Sequence, residues 1–258
     1  MAGNGWNNNR IYGKGRNNYC YIFVLHRRNC VNINTYHFVE GAKKARGVAV
    51  IIDVFRAFSV ECYLSHNNAK AIIPVGAKEI AYALKEKHPE YLLVGERHGV
   101  MLEGFDYGNS PSKMENVDFS GKTVVHTTSA GTQGLDNAVN ADCVLTGSLV
   151  NAKAIARFIK QSGFSEVTLV PMGLEALCET EEDTLCAYYI ENLLKGNDID
   201  IAKEVEKLRT TSAKKFFDDN YPQFPARDFE LCTQVNKFSF VLKVHRDGNM
   251  MRVERVNV

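Results

Sequence analysis

Apolar positions along this chain come in short continuous runs, and each run is followed by a segment with helical spacing. Residues 48–53 are apolar up to a terminal carboxylate, and residues 56–65 read as a helix after them. Residues 71–75 predict a strand, and Gly76 opens a helix carrying Ala77, Ile80, Ala81 and Leu84 at helical spacing. Residues 91–94 predict a third strand. A fourth, residues 122–126, leads into a helix over 130–139. Runs 143–147 and 167–172 add two strands, paired with helices over 151–160 and 182–194. Residues 201–219 read as helical and charged, and residues 238–244 as a last strand. The stretch 95–119 is long, irregular and polar, which marks it as a candidate functional loop.

Continuous rather than alternating apolar strands imply that both faces of the sheet are covered. The pattern therefore predicts an α/β fold, a three-layer α/β/α sandwich with a mostly parallel or mixed central sheet. No linker or repeat interrupts residues 34–258, which read as one domain. Residues 1–33 read as an N-terminal extension, disordered or loosely packed: Asn4, Asn7, Asn8, Asn9, Asn17 and Asn18 crowd a glycine-rich stretch without periodicity. The apolar run 19–25 is too brief, and lacks the small-residue cleavage site, for a signal peptide.

Charge and cysteine usage narrow the partners. The net charge is +1 and the basic residues are dispersed, so neither a nucleic acid nor a membrane surface is expected as partner. No apolar run approaches the length of a membrane span. Seven cysteines, an odd number without C-x-x-C spacing, read as free thiols of a reducing cytoplasm.

In such sheets ligands bind at the carboxyl ends of the strands. There this chain carries Asp53 and Arg56, then Glu96 and Arg97, the loop 127–132, Ser148 and Asn151, and finally Glu182 and Asp183. Residues 124–134 read Val-Val-His-Thr-Thr-Ser-Ala-Gly-Thr-Gln-Gly, a strand, a loop of hydroxyls and a helix start. Unpaired N–H groups at a helix start, the helix dipole and the hydroxyls of Thr127, Thr128, Ser129 and Thr132 suit a phosphate, with Gly131 allowing close approach. Clustered carboxylates and two arginines suit a hard cation, Mg²⁺, beside it. Each residue also has a plainer use. Asp53 and the hydroxyls can cap helices, Arg56 can lie on a helix surface, and Glu182 and Asp183 sit where acids favour a helix dipole.

Several enzyme classes fail on the letters. A haloacid-dehalogenase-type phosphatase needs Asp where Phe55 stands. No cysteine is followed six residues later by arginine, and there is no G-x-x-x-x-G-K-[ST]. Thr146-Gly147-Ser148 lacks the second glycine of a nucleophile elbow. Arg97-His98-Gly99 resembles the start of a histidine phosphatase, which leaves a histidine-type phosphatase using His98 as one alternative. A non-catalytic binder of small anions on the same fold is the other.

The same residues, in the same order, resemble the 2-phosphosulfolactate phosphatase family over about residues 41–244. The resemblance rests on Val50-Ile51-Ile52-Asp53-Val54-Phe55-Arg56-Ala57, Gly95-Glu96 and Gly104-Phe105-Asp106-Tyr107-Gly108-Asn109-Ser110-Pro111. It continues through 127–132, Gly147-Ser148 with Asn151, Glu182-Asp183-Thr184 and 228–236. It implies a Mg²⁺-dependent acid phosphatase of α/β/α fold, a homodimer that hydrolyses 2-phosphosulfolactate to sulfolactate and phosphate in coenzyme M biosynthesis. It implies catalytic roles for Asp53, Arg56 and Glu96, and metal ligation by Asp53, Glu96, Glu182 and Asp183. Substrate contacts fall to Thr127, Thr128, Ser129, Gly131, Thr132, Asn109, Ser110 and Asn151. Where the family loop reads Thr-Thr-Thr-Asn-Gly-Thr, this chain has Ala130 in place of the Asn, which removes one amide donor and acceptor.

Overall fold

A computed structural model describes residues 31–248 and 250–258. Of the expected extension 1–33, Asn32 and Ile33 belong to the first strand, and residues 1–30 with the run 19–25 lie outside the described residues. The chain order is β1 (Asn32–Thr35), α1 (Phe38–Lys44), β2 (Val48–Ile52), α2 (Ala57–His66), β3 (Ala71–Pro74) and α3 (Lys78–Lys87). It continues with β4 (Leu92–Arg97), β5 (Val100–Met101), β6 (Thr123–Thr127), α4 (Gly131–Asn137), β7 (Cys143–Gly147) and α5 (Ala152–Ser162). Then come β8 (Glu166–Pro171), α6 (Glu181–Lys195), α7 (Ala202–Lys207), α8 (Ala226–Cys232), β9 (Phe240–Asp247) and β10 (Met250–Asn257).

The apolar run of β2 is continuous because both of its faces are covered. Val48, Val50 and Ile52 pack in one core with Ile155 and Ile159 of α5 and Ile190 of α6. Ala49 and Ile51 face the opposite core with Ala42 of α1 and Leu135 of α4. Each fully buried Ile or Val here contributes about 1.5–3 kcal/mol. Helices on both faces make the expected α/β/α sandwich. Cys62, Cys143, Cys186 and Cys232 are buried free thiols, and Cys178 is exposed. Among the described residues no helix is long and apolar enough to cross a membrane.

The sheet is mixed, in the order β1-β8-β2-β7-β9-β10-β3-β6-β4-β5. β1, β8, β2 and β7 run parallel to one another, as do β3, β6 and β4. Between the two groups lies the antiparallel pair β9 and β10, bonded antiparallel to β7 on one side and β3 on the other. Three antiparallel steps give the two groups opposite senses, so a single rim holding every strand's carboxyl end is not what forms. The chain after β6 brings the ends together instead: Gly131 N–H at the start of α4 donates to Asp53 Oδ2 beyond β2 at 2.9 Å. The loop after β6 then reaches the end of β2, and α4 lies across the β2 face, with Gly134 packed against Ile51 and Met172.

Two sequence expectations change. The helix over 201–219 shrinks to α7 and two short 3₁₀ turns at 208–210 and 214–217. Its Thr-Thr-Ser step competes for backbone partners: Thr210 Oγ1 donates to the Lys207 carbonyl at 3.0 Å. The strand over 238–244 grows into the full β9–β10 hairpin. β10 has polar, mostly exposed alternate positions, so it carries no continuous apolar signal.

Candidate functional site

A cavity of about 510 Å³ opens where the ends of β2, β4 and β6 meet the start of α6 and the segment after α7. Asp53, Arg56, Glu96, Asn109, Ser129, Glu182 and Asp183 all line it, as do Lys214 and Lys215.

Asp53 follows β2. Its Oδ1 accepts from Ala57 N–H at 3.1 Å and its Oδ2 from Gly131 N–H at 2.9 Å. The capping use and the site position therefore coexist in one carboxylate. Burial pushes its carboxyl up to about 6; the Ala57 and Gly131 N–H groups hold it down, and Glu96 and Glu182 push it further up. A Cβ at position 131 would stand 2.8 Å from Asp53 Oδ2 and 3.0 Å from Ala57 and Phe58, which requires glycine there.

Glu96 ends β4 and ties two loops. Its Oε1 accepts from Ser129 N–H at 2.7 Å, and its Oε2 from Gly99 N–H at 2.6 Å and Ser129 Oγ–H at 3.1 Å. The anion nest expected at residues 127–132 thus already holds anions, the protein's own carboxylates Asp53 and Glu96. Thr128 and Thr132 bond reciprocally, Thr132 Oγ1 receiving Thr128 N–H at 2.9 Å and Thr128 Oγ1 receiving Thr132 N–H at 3.2 Å. Thr127 Oγ1 accepts from Arg97 Nη2 at 2.9 Å. Of the four loop hydroxyls only Ser129 lines the cavity.

Three other expected contacts turn inward for similar reasons. Asn151 closes its own turn, its Oδ1 accepting from Ser148 N–H at 3.1 Å. Ser110 Oγ–H donates to Asp228 Oδ1 at 2.9 Å. Gly131 acts through its N–H and its missing side chain. Asp183 lines the cavity, yet both its oxygens accept backbone N–H groups, from Val54 and Gly173, each at 2.8 Å. Burial, then Glu182 and Asp53, push its carboxyl well above the usual range.

Glu182 is different. Burial raises its carboxyl. Its buried Oε2 makes no well-aligned hydrogen bond among the described residues, although the Thr180 and Ser212 hydroxyls stand beside it and hold its carboxyl down against burial. An orphaned buried carboxylate oxygen is costly unless something completes it. No three acidic, His or Cys side chains among the described residues form a ready-made metal cage. Mg²⁺ needs none, because it binds through one or two carboxylates, waters and substrate phosphate. Glu182 fits that requirement, whereas Asp53, Glu96 and Asp183 each have both oxygens on backbone N–H groups.

Two cations face these acids. Arg56 is 3% exposed; its Nη1 donates to Asp228 Oδ2 at 2.6 Å and to the Gln223 carbonyl at 2.8 Å. Its guanidinium stacks 4.5 Å from the Phe224 ring, and its Nε and Nη2 have no hydrogen-bond partner among the described residues. Lys215 Nζ lies 4.8 Å from the same ring. Burial lowers the Lys215 ammonium, and Arg56 lowers it further against the pull of Glu182. Sequence reading gave Lys215 no role, and placed Asp228 only at the start of the stretch 228–236 that carries the resemblance, without a part in the site. Lys215 sits in a Lys-Lys pair that reads as surface charge, and Asp228 lies far along the chain from Arg56.

His98 lies at the cavity mouth, its side chain 76% exposed and its Nδ1 2.7 Å from Glu175 Oε1. Arg97 points away, to the Gly76 carbonyl and Thr127. No second histidine lines the cavity among the described residues, so a histidine-phosphatase constellation is not assembled.

Comparison with known proteins follows the same residues. The model of the family described as 2-phosphosulpholactate phosphatase matches residues 33–247. A probable 2-phosphosulfolactate phosphatase of Bacillus subtilis is 33% identical over 211 residues, covering 81% of this chain and 92% of the relative. One from Carboxydothermus hydrogenoformans is 29% identical, covering 87% of this chain and 98% of the relative. One from Caldicellulosiruptor saccharolyticus is 37% identical over 176 residues, 67% of this chain and 72% of the relative.

Proposed function

The chain belongs to the 2-phosphosulpholactate phosphatase family, phosphoric monoester hydrolases, and from that premise we propose that it hydrolyses 2-phosphosulfolactate to sulfolactate and phosphate with Mg²⁺ bound. The observation that carries the reading is one cavity holding a carboxyl group raised to about 6, a Glu182 oxygen without a well-aligned partner, the buried Arg56 and the half-buried Lys215. A phosphomonoester that also bears sulfonate and carboxylate needs such cations.

In this reading Asp53 takes a proton from the attacking water. A carboxyl group near 6 divides its population between base and acid close to neutral pH, which suits proton transfer. Arg56 binds phosphate oxygens through Nε and Nη2, while Asp228 and Phe224 fix the guanidinium plane. Lys215 binds the second acid group. Glu182 would hold Mg²⁺; bound there, the ion supplies neutralisation of phosphate charge and a more acidic water. Glu96 and Asp183 anchor the loops that frame the cavity.

The test is phosphate release from 2-phosphosulfolactate and a panel of phosphomonoesters, with Mg²⁺ or EDTA, in wild type and Asp53→Asn. Turnover that needs Mg²⁺ and falls at least a hundredfold in Asp53→Asn is expected. Saturable anion binding without turnover of any ester would instead favour the non-catalytic binder.

A further inference from the structure

One buried acid–histidine pair takes no part in the chemistry above. Glu61 on α2 and His126 on β6 are both fully buried, with Nδ1 of the histidine 2.9 Å from Glu61 Oε1. The other ring nitrogen, Nε2, lies 3.3 Å from Asn109 Oδ1. Asn109 lines the cavity, so the three side chains form a hydrogen-bonded line from the core to the site. Glu61 Oε2 has no partner, so the pair is not simply a saturated core network.

The amide sets the polarity of the line: an amide oxygen only accepts, so with Oδ1 toward the ring it receives Nε2–H, and Nδ1 meets Glu61. With Oδ1 engaged by His126, the Asn109 Nδ2 hydrogens have no partner among the described residues and face the cavity as donors. A donor face beside Arg56 and Lys215 suits an anionic oxygen.

We propose that Glu61 and His126 are positioning residues, which hold the Asn109 amide with its NH₂ toward the cavity to donate to an oxygen of the bound phosphate. The assignment rests on the phosphatase reading. It gives a specific purpose to a polar pair that burial would otherwise penalise.

A double-variant cycle tests it, read by the Kd for inorganic phosphate and by KM and kcat for a turned-over phosphomonoester. Asn109→Ala should weaken phosphate binding and raise KM roughly tenfold, with a smaller change in kcat. His126→Phe should act in the same direction. Combined with Asn109→Ala it should add nothing, because it works through the same amide. Asn109→Asp should weaken binding further through repulsion. If His126→Phe strands the Glu61 charge and does not fold, the cycle is run in Glu61→Leu/His126→Phe, where neither polar partner is left. Additive effects, or wild-type affinity in either the Asn109 or the His126 variant, would overturn the assignment. Failure of the phosphatase reading is separable: wild type would then turn over no ester, while the phosphate-binding cycle still decides the role of the pair.

Discussion

Gly131 N–H and Asp53 Oδ2 meet at 2.9 Å, and that one contact joins the end of β6 to the end of β2. The carboxylate stands close enough to the backbone to leave no space for a methyl group at position 131. Gly131→Ala is therefore expected to push Asp53 out of line. Overpacking should cost about 1–3 kcal/mol of stability, and kcat should fall more than tenfold. Urea denaturation and steady-state kinetics measure the two effects, and an active variant with wild-type stability would show that the contact is dispensable.

The raised Asp53 carboxyl makes stability depend on pH. Its pKa moves from 3.8 in the unfolded chain to about 6 in the fold. Between those values the folded state holds more protons, so stability falls as pH rises through the window and the penalty is complete above pH 6. Its size is on the order of 3 kcal/mol. Glu182 and Asp183 shift in the same direction. Metal-free protein should thus be more stable near pH 5 than near pH 7. Added Mg²⁺ should flatten the difference, and Asp53→Asn should shrink it. A thermal-unfolding series across this range that rises with pH would contradict the assignment.

Arg56 and Asp228 form a buried ion pair at 2.6 Å, and Asp228 also holds Ser110 Oγ–H and Ser112 N–H, each at 2.9 Å. Asp228→Asn leaves the guanidinium without its counter-charge and loosens the segment that carries Asn109. A loss of about 3–5 kcal/mol is expected, together with a raised KM. Arg56→Lys should not restore activity, because an ammonium lacks the planar fork that stacks on Phe224. Full activity in Arg56→Lys would remove the stacked geometry from the mechanism.

Lys215 has no fixed carboxylate partner within hydrogen-bonding distance among the described residues and sits inside the cavity, so its charge is available to substrate. Lys215→Met keeps the aliphatic stem and removes the charge. KM for a substrate with a second acid group should rise roughly tenfold or more, and KM for a simple phosphomonoester much less. Equal effects on both would place Lys215 at the phosphate instead.

Most of the fold was legible because buried strands and their helices carry unambiguous apolar runs: β2, β3, β6, β7 and β8 fall within two residues of their expected bounds. The edge strand β1 and the half-exposed β10 were not, since their apolar residues are too few or alternate with polar ones. Within the site, the carboxylates and Arg56 were legible as strand-end and helix-start residues. The direction of each hydroxyl was not. Thr127, Thr128 and Thr132 offer the same chemistry as Ser129, and only the folded loop determines that three bond inward and one lines the cavity. Lys215 was hidden because its burial depends on Phe216 and Phe224, which lie in an irregular stretch without periodicity.

The central place of β9–β10 also sets an order of assembly. Asp53, Glu96, Ser129 and Glu182 all precede residue 240 in the chain, yet the strands that bond one half of the sheet to the other lie after it. Each half can nucleate from its own parallel neighbours, while the cavity between them needs the closing hairpin. Contacts of such long sequence separation form slowly. The cavity is therefore expected to be a late product of folding: a chain arrested before the hairpin docks would have every lining side chain and no cavity.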